Sequence, residues 1–180
     1  MLYEMRKRFH AFTFMLFLFC LPIVTHAEEH ADSLINGILS YVRWNPSYTQ
    51  LNFCMIDGQA KFISDHIFKS PSNLIRPANI SIKHHQSSEL LSNEATASRC
   101  QILYFVNTPD DVQQRLINGL KQHTLTISEK NEQCAIGSAV CLYRANQQYR
   151  FKINMDSLKQ SEIQMDSKVL LLSKKYQGEE

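Results

Sequence analysis

Cys134 and Cys141 enclose Ala-Ile-Gly-Ser-Ala-Val, and thiols at that spacing have only a few chemistries open to them. Six intervening residues are too many for the C-x-x-C of a redox enzyme and poor for a zinc knuckle. A disulfide pinning a loop to the start of a strand fits better. The other chemistry-bearing groups are weaker. His84-His85 sits in an alternating stretch, so its rings point to opposite faces and one metal site cannot easily use both. Asp110-Asp111 reads as charge at a helix start, favoured by the helix dipole, rather than as an acid–base pair. His66 beside Asp65 reads as surface or boundary. No strand is followed by a glycine-rich phosphate loop, since Asp57-Gly58-Gln59-Ala60 has one glycine where three are needed. Gly137-Ser138 lacks the pattern of a nucleophile elbow. The sequence therefore names no catalytic residue, no cofactor and no metal ligand.

A disulfide requires an oxidising compartment. Arg6-Lys7-Arg8 followed by the apolar run Phe12–Val24 and by Thr25-His26-Ala27 has the form of an export signal cleaved after Ala27. The alternative, a membrane anchor, suffers because the run is short of the roughly 20 residues that span a bilayer. Cys20 would leave with the signal. Cleavage removes three of 19 Lys+Arg and one of 17 Asp+Glu, leaving 16 of each. A neutral mature chain with interspersed charges gives no support for nucleic-acid or anionic-lipid binding, and no membrane insertion is expected after cleavage. Four cysteines remain, Cys54, Cys100, Cys134 and Cys141, an even number as in a periplasmic protein with two disulfides.

The elements that must position these cysteines follow from periodicity. Ala31–Val42 carries Leu34, Ile35, Ile38, Leu39 and Val42 at helical spacing, and Arg43-Trp44-Asn45-Pro46 ends it. Gln50–Asp57 is a strand ending at Asp57-Gly58. Ala60–Phe68 shows helical spacing, Ile80–His84 alternates as a strand, and Ser87–Ala97 is a weak polar helix. Ile102–Val106 is a continuous apolar run suited to a strand covered on both faces. Asp110–Leu120 is a helix with stripe Val112, Leu116, Ile117 and Leu120, and Thr124–Ser128 is a strand. The cystine loop leads into a hairpin, Leu142–Ala145 and Tyr149–Asn154, turning at Asn146-Gln147-Gln148. Short helices near Met155–Lys159 and Val169–Leu172 close the chain.

This alternation predicts one α/β domain over 28–180. It would have a mostly parallel sheet flanked by helices, in Rossmann-like or flavodoxin-like layering, with a C-terminal antiparallel hairpin and disulfide staples. In the common doubly wound order the third strand lies beside the first, which brings Cys54 near Cys100. The pairs are then Cys134–Cys141 and Cys54–Cys100; two reduced, buried thiols are the alternative for the second pair. Arg43-Trp44 is either a core aromatic beside a surface cation or a partner anchor, both types being favoured as hot spots. Ile163 and Met165, in Ser161–Met165, have no obvious element to pack with. They are either partner contacts or a loop tucked onto the core.

Several ordered stretches resemble the YfiR family: Asn36-Gly37-Ile38-Leu39-Ser40-Tyr41-Val42-Arg43-Trp44, then Cys134…Ile136-Gly137-Ser138-Ala139…Cys141-Leu142. Phe151-Lys152-Ile153-Asn154…Leu158 and Val169-Leu170-Leu171-Leu172-Ser173-Lys174-Lys175 complete the set. The resemblance implies a non-enzymatic periplasmic repressor, usually a homodimer. Such a protein engages the periplasmic sensor region of an inner-membrane diguanylate cyclase, YfiN, and keeps cyclic di-GMP low, with consequences for biofilm formation and motility. It also implies a repression tied to the oxidised fold, and in some systems sequestration by the lipoprotein YfiB. The other classes left open by the residues are a small-molecule-binding module, with its site near the Asp57-Gly58 and Asn107-Thr108 turns, and a thiol–disulfide oxidoreductase using Cys134 and Cys141.

Overall fold

Neighbouring residues on the central strands part company: Phe53 and Met55 join one core cluster, Cys54 and Ile56 another. Ile102 and Tyr104 likewise separate from Leu103 and Phe105. This is the two-faced burial that the unbroken apolar runs anticipate, because successive strand side chains point to opposite sides of a sheet. The computed structural model describes residues 30–45, 47–69, 79–120 and 123–177. The export signal expected over 1–27, with cleavage after Ala27, lies outside these. Among the described residues no helix is long and apolar enough to cross a membrane.

The chain runs α1 (Asp32–Ser40), β1 (Val42–Arg43), β2 (Gln50–Ile56), β3 (Asn79–His85), α2 (Ser87–Ser92), α3 (Glu94–Ala97) and β4 (Ile102–Phe105). It continues α4 (Asp110–Gly119), β5 (Leu125–Ser128), β6 (Val140–Ala145), β7 (Gln148–Ile153), α5 (Met155–Gln160), β8 (Gln164–Met165) and α6 (Ser167–Gln177). Among the described residues, six strands form one sheet in the order β3-β2-β4-β5-β6-β7, parallel except for the β6–β7 hairpin. Strand order reverses at β2, which lies between β3 and β4, so the third long strand sits beside the first as expected. Ile35, Ile38 and Leu39 of α1 and Val169 of α6 cover one face. Leu90 of α2, Ala97 of α3 and Leu116 and Ile117 of α4 cover the other. The protein is thus a mixed α/β domain with helices on both sides of a mostly parallel sheet.

Two expectations fail. The stretch 60–68 is not a helix but a series of bends and turns. Three of its amides are taken by carboxylates from elsewhere: Lys61 N and Phe62 N donate to Glu129 Oε1, each at 2.8 Å, and Ser64 N donates to Asp32 Oδ1 at 2.8 Å. Its apolar residues are still used, with Ile63 and Ile67 both 3% exposed. Helical spacing therefore marks a buried face here without the helix. The second miss is a ribbon. Val42-Arg43 and Gln164-Met165, the first read as a helix end and the second as a loop, form a separate two-stranded antiparallel sheet.

Candidate functional site

The cystine loop is a worked piece of backbone. Cys134 bonds Cys141 with Cα atoms 5.8 Å apart. Cys134 and Gly137 both hold positive φ, 53° and 86°, which curls the loop tightly enough to close. Side chains from four other places hold it. Asn131 Oδ1 accepts from Cys134 N at 2.8 Å, and Gln113 Oε1 accepts from the Ser138 hydroxyl at 2.7 Å. Gln114 Oε1 accepts from Gly137 N at 2.8 Å, and the Ser157 hydroxyl donates to Gly137 O at 2.6 Å. Thr126 Oγ1 accepts from Ala139 N at 2.9 Å, tying the loop's exit to β5. Both sulfurs are enclosed, Cys134 at 8% and Cys141 at 1% exposure. A thiol that attacks substrate disulfides needs access, so this arrangement favours a structural cystine over an oxidoreductase centre.

Cys54 bonds Cys100, again with Cα atoms 5.8 Å apart. The parallel register that pairs Phe53 with Ile102 brings them together, and Gln101 N donates to Asn52 O at 3.2 Å beside the bond. The two ends of the expected ligand crevice, Asp57 and Thr108, also meet at the strand reversal. They meet too closely: the Thr108 hydroxyl donates to Asp57 Oδ2 at 2.7 Å, and Ser87 N donates to Asp57 Oδ1 at 2.8 Å. The protein's own groups thus occupy the polar positions that a small ligand would use.

The residues considered for partner contact lie together, which no linear reading shows. Val42 pairs with Met165 and Arg43 with Gln164. The Arg43 guanidinium donates to Ser40 O at 3.0 Å and Val42 O at 3.2 Å, complementing the carbonyl end of α1. Arg43 is exposed and Met165 half-buried. Trp44 and Ile163 are buried at 8% and 6%, both in the larger core. The expectation that Ile163 and Met165 lack an element to pack with is therefore corrected: β1 and the core receive them. Trp44 and Ile163 support the ribbon from beneath, while Arg43 and Gln164 face outward. Two further exposed apolar residues, Ile136 at 50% and Met155 at 55%, stand on the cystine loop and at the start of α5.

His84 and His85 end β3, paired with Met55 and Ile56. His84 is exposed; His85 is half-buried, with Nδ1 3.1 Å from Glu89 Oε2. Asp110 and Asp111 stand in the first turn of α4, and burial, then the Asp111 charge, raise the Asp110 carboxyl above its ordinary value. Sequence reading missed the groups that brace the cystine loop. Gln113 was legible in principle, being a polar residue beside the apolar stripe of α4 that includes Leu116 and Ile117. Its burial at 1% accords with hydrogen bonds at both ends, its amide donating to Thr108 O at 2.8 Å.

Cystine loop, hairpin, opening helix and terminal helix, the stretches that carried the resemblance, thus build one domain. The YfiR/HmsC-like family model matches residues 29–174, more than half of the chain, and the chain belongs to that family.

Proposed function

We propose that this chain is a periplasmic negative regulator that grips the periplasmic sensor region of an inner-membrane diguanylate cyclase and holds cyclic di-GMP synthesis down. The observation that carries the reading is the family match across 29–174, which takes in both cystines, the hairpin and the ribbon. Output is then binding rather than turnover. Such a regulator acts only through a difference in affinity between two states of its target, and the oxidised fold is the form that binds the quiescent one. The outward face of the β1–β8 ribbon, Arg43 with Gln164, is the contact surface in this reading. A homodimer is the working form, and a YfiB-like lipoprotein is the antagonist where one is present.

The test is genetic and chemical. Deleting the gene should raise cellular cyclic di-GMP, increase biofilm and lower motility, and the intact gene should reverse all three. An unchanged second-messenger level after deletion would sink the reading. In the same strain, Cys134→Ser with Cys141→Ser should relieve repression even at normal protein level.

A further inference from the structure

Besides the bond they share, Cys54 and Cys100 have a third chemical neighbour. A ring nitrogen of His85 and the two sulfurs all lie within 4.8 Å of one another, brought there by three parallel pieces of chain: β2, β3 and the entry to β4. The geometry points to a binding site for zinc, or a thiophilic divalent cation like it, formed by Cys54, Cys100 and His85 whenever the first two are thiols. Disulfide and metal are then alternative occupants of one position.

Tetrahedral zinc holds sulfur at about 2.3 Å and imidazole nitrogen at about 2.0 Å, which sets the ligand atoms roughly 3.5–3.8 Å apart. The observed cluster needs only that the two sulfurs separate by about 2 Å once their bond is gone. The surroundings select the charge. Cys54 and Cys100 are 0% and 2% exposed, in a cluster with Ile56, Leu90, Leu103 and Leu116. Two thiolates cannot sit uncompensated among such groups, and a divalent cation neutralises them. Glu89 supplies the support that metal-bound imidazoles usually have: it engages Nδ1 of His85 at 3.1 Å, leaving Nε2 as the ligating atom. The fourth position falls to water or to an incoming group.

The chemistry balances with an external dithiol as reductant. Its two thiols give two electrons and two protons to the Cys54–Cys100 bond, which breaks as the dithiol closes its own disulfide. Zinc then displaces the two protons from the protein sulfurs to solvent as two metal–thiolate bonds form. This inference does not depend on which partner the protein grips.

The mature chain, reduced with a phosphine under anaerobic conditions, should take up one zinc ion. Zinc should protect Cys54 and Cys100 from alkylation, as mapped by mass spectrometry, while Cys134 and Cys141 stay reactive. His85→Ala should weaken binding at least tenfold, and Glu89→Gln by about 10–100-fold, with both oxidised variants melting where the wild type does. Protection confined to Cys134 and Cys141, or affinity indifferent to His85→Ala, overturns the assignment. Should the reduced chain lose its fold, zinc must restore the far-UV spectrum, and failure to do so overturns it equally.

Discussion

Arg43 lies directly opposite Gln164 in an antiparallel ribbon that joins the first helix of the domain to its last. The carbonyl of Tyr41 extends the ladder by accepting from Asp166 N at 3.1 Å. The ribbon is short, and its outward side chains are polar, so changing them costs little stability. Arg43→Glu with Gln164→Glu should leave the melting temperature within a few degrees, the lost complement to the α1 carbonyls being worth about 0.3–1 kcal/mol. Cellular cyclic di-GMP in a strain carrying this pair should rise toward the level of the deletion. Full repression by the double variant at normal abundance would move the contact surface elsewhere.

The two cystines should differ in what they contribute. Loop-closure entropy assigns about 4 kcal/mol to Cys54–Cys100, whose cysteines are 46 residues apart, and about 2.5 kcal/mol to Cys134–Cys141, at a separation of 7. These are upper figures, and a domain of this size has roughly 5–15 kcal/mol in all. Denaturant unfolding under non-reducing conditions should give a larger loss for Cys54→Ser with Cys100→Ser than for the Cys134, Cys141 pair. The reverse order would mean that the bracing around the short loop, rather than chain entropy, dominates.

Much of this architecture is legible in the amino-acid sequence. The strands and α1 are legible because their apolar periods are clear, and the expected strand order places Cys54 near Cys100, with two reduced thiols left as the alternative. The 60–68 segment is not legible, because what removes its helix is a pair of carboxylates, Asp32 and Glu129, far away in sequence. Periodicity reports burial, and it cannot report who accepts a backbone N–H. The β1–β8 ribbon escaped for a related reason: two-residue strands carry no period, and their pairing is set by where α1 and α6 dock. His85 and His84 point to opposite faces, and the groups that gather near His85, Cys54 and Cys100, come from other strands, a neighbourhood that linear spacing does not display.

Glu129 should give the stability curve a pH dependence of a particular sign. Burial, at 3% exposure, raises its carboxyl above the ordinary 4.5, against the opposing hydrogen bonds from Phe62 N, the Tyr104 hydroxyl and Lys61 N. Between 4.5 and the raised value the folded protein holds a proton that the unfolded chain has released, so this group's contribution falls as pH rises through that window. Glu129→Gln retains an oxygen for Tyr104 and the two amides but cannot ionise. Its unfolding free energy, followed from pH 4 to 8, should lack that falling component. Glu129→Ala should lose roughly 2–5 kcal/mol at any pH, because it strands several buried donors. Identical pH slopes for wild type and Glu129→Gln would show that the carboxyl titrates normally.

Gly137 offers the sharpest test of whether the cystine loop is braced or merely closed. Its φ of 86° is a conformation in which L-residues are strained, at about 1–2 kcal/mol. Space is short as well: an added Cβ would come within 2.9 Å of Gln113 Oε1 and 3.2 Å of Asn131 Nδ2. Those atoms are the ones that hold the loop, since Gln113 Oε1 accepts from the Ser138 hydroxyl and Asn131 Nδ2 donates to Ile136 O. Gly137→Ala therefore sets backbone strain and loss of bracing against each other's relief, and neither escape is cheap. The variant should unfold at lower denaturant by the equivalent of roughly 2–4 kcal/mol with the disulfide intact, and Cys134–Cys141 should become reducible at lower dithiol concentration. Gly37→Ala is the control, because nothing stands within 4 Å of the Cβ it would add, and a mid-helix alanine should match or exceed wild-type stability. Equal midpoints for Gly137→Ala and wild type, with equal reducibility, would mean that the bond alone holds the loop and that Gln113 and Asn131 are incidental neighbours.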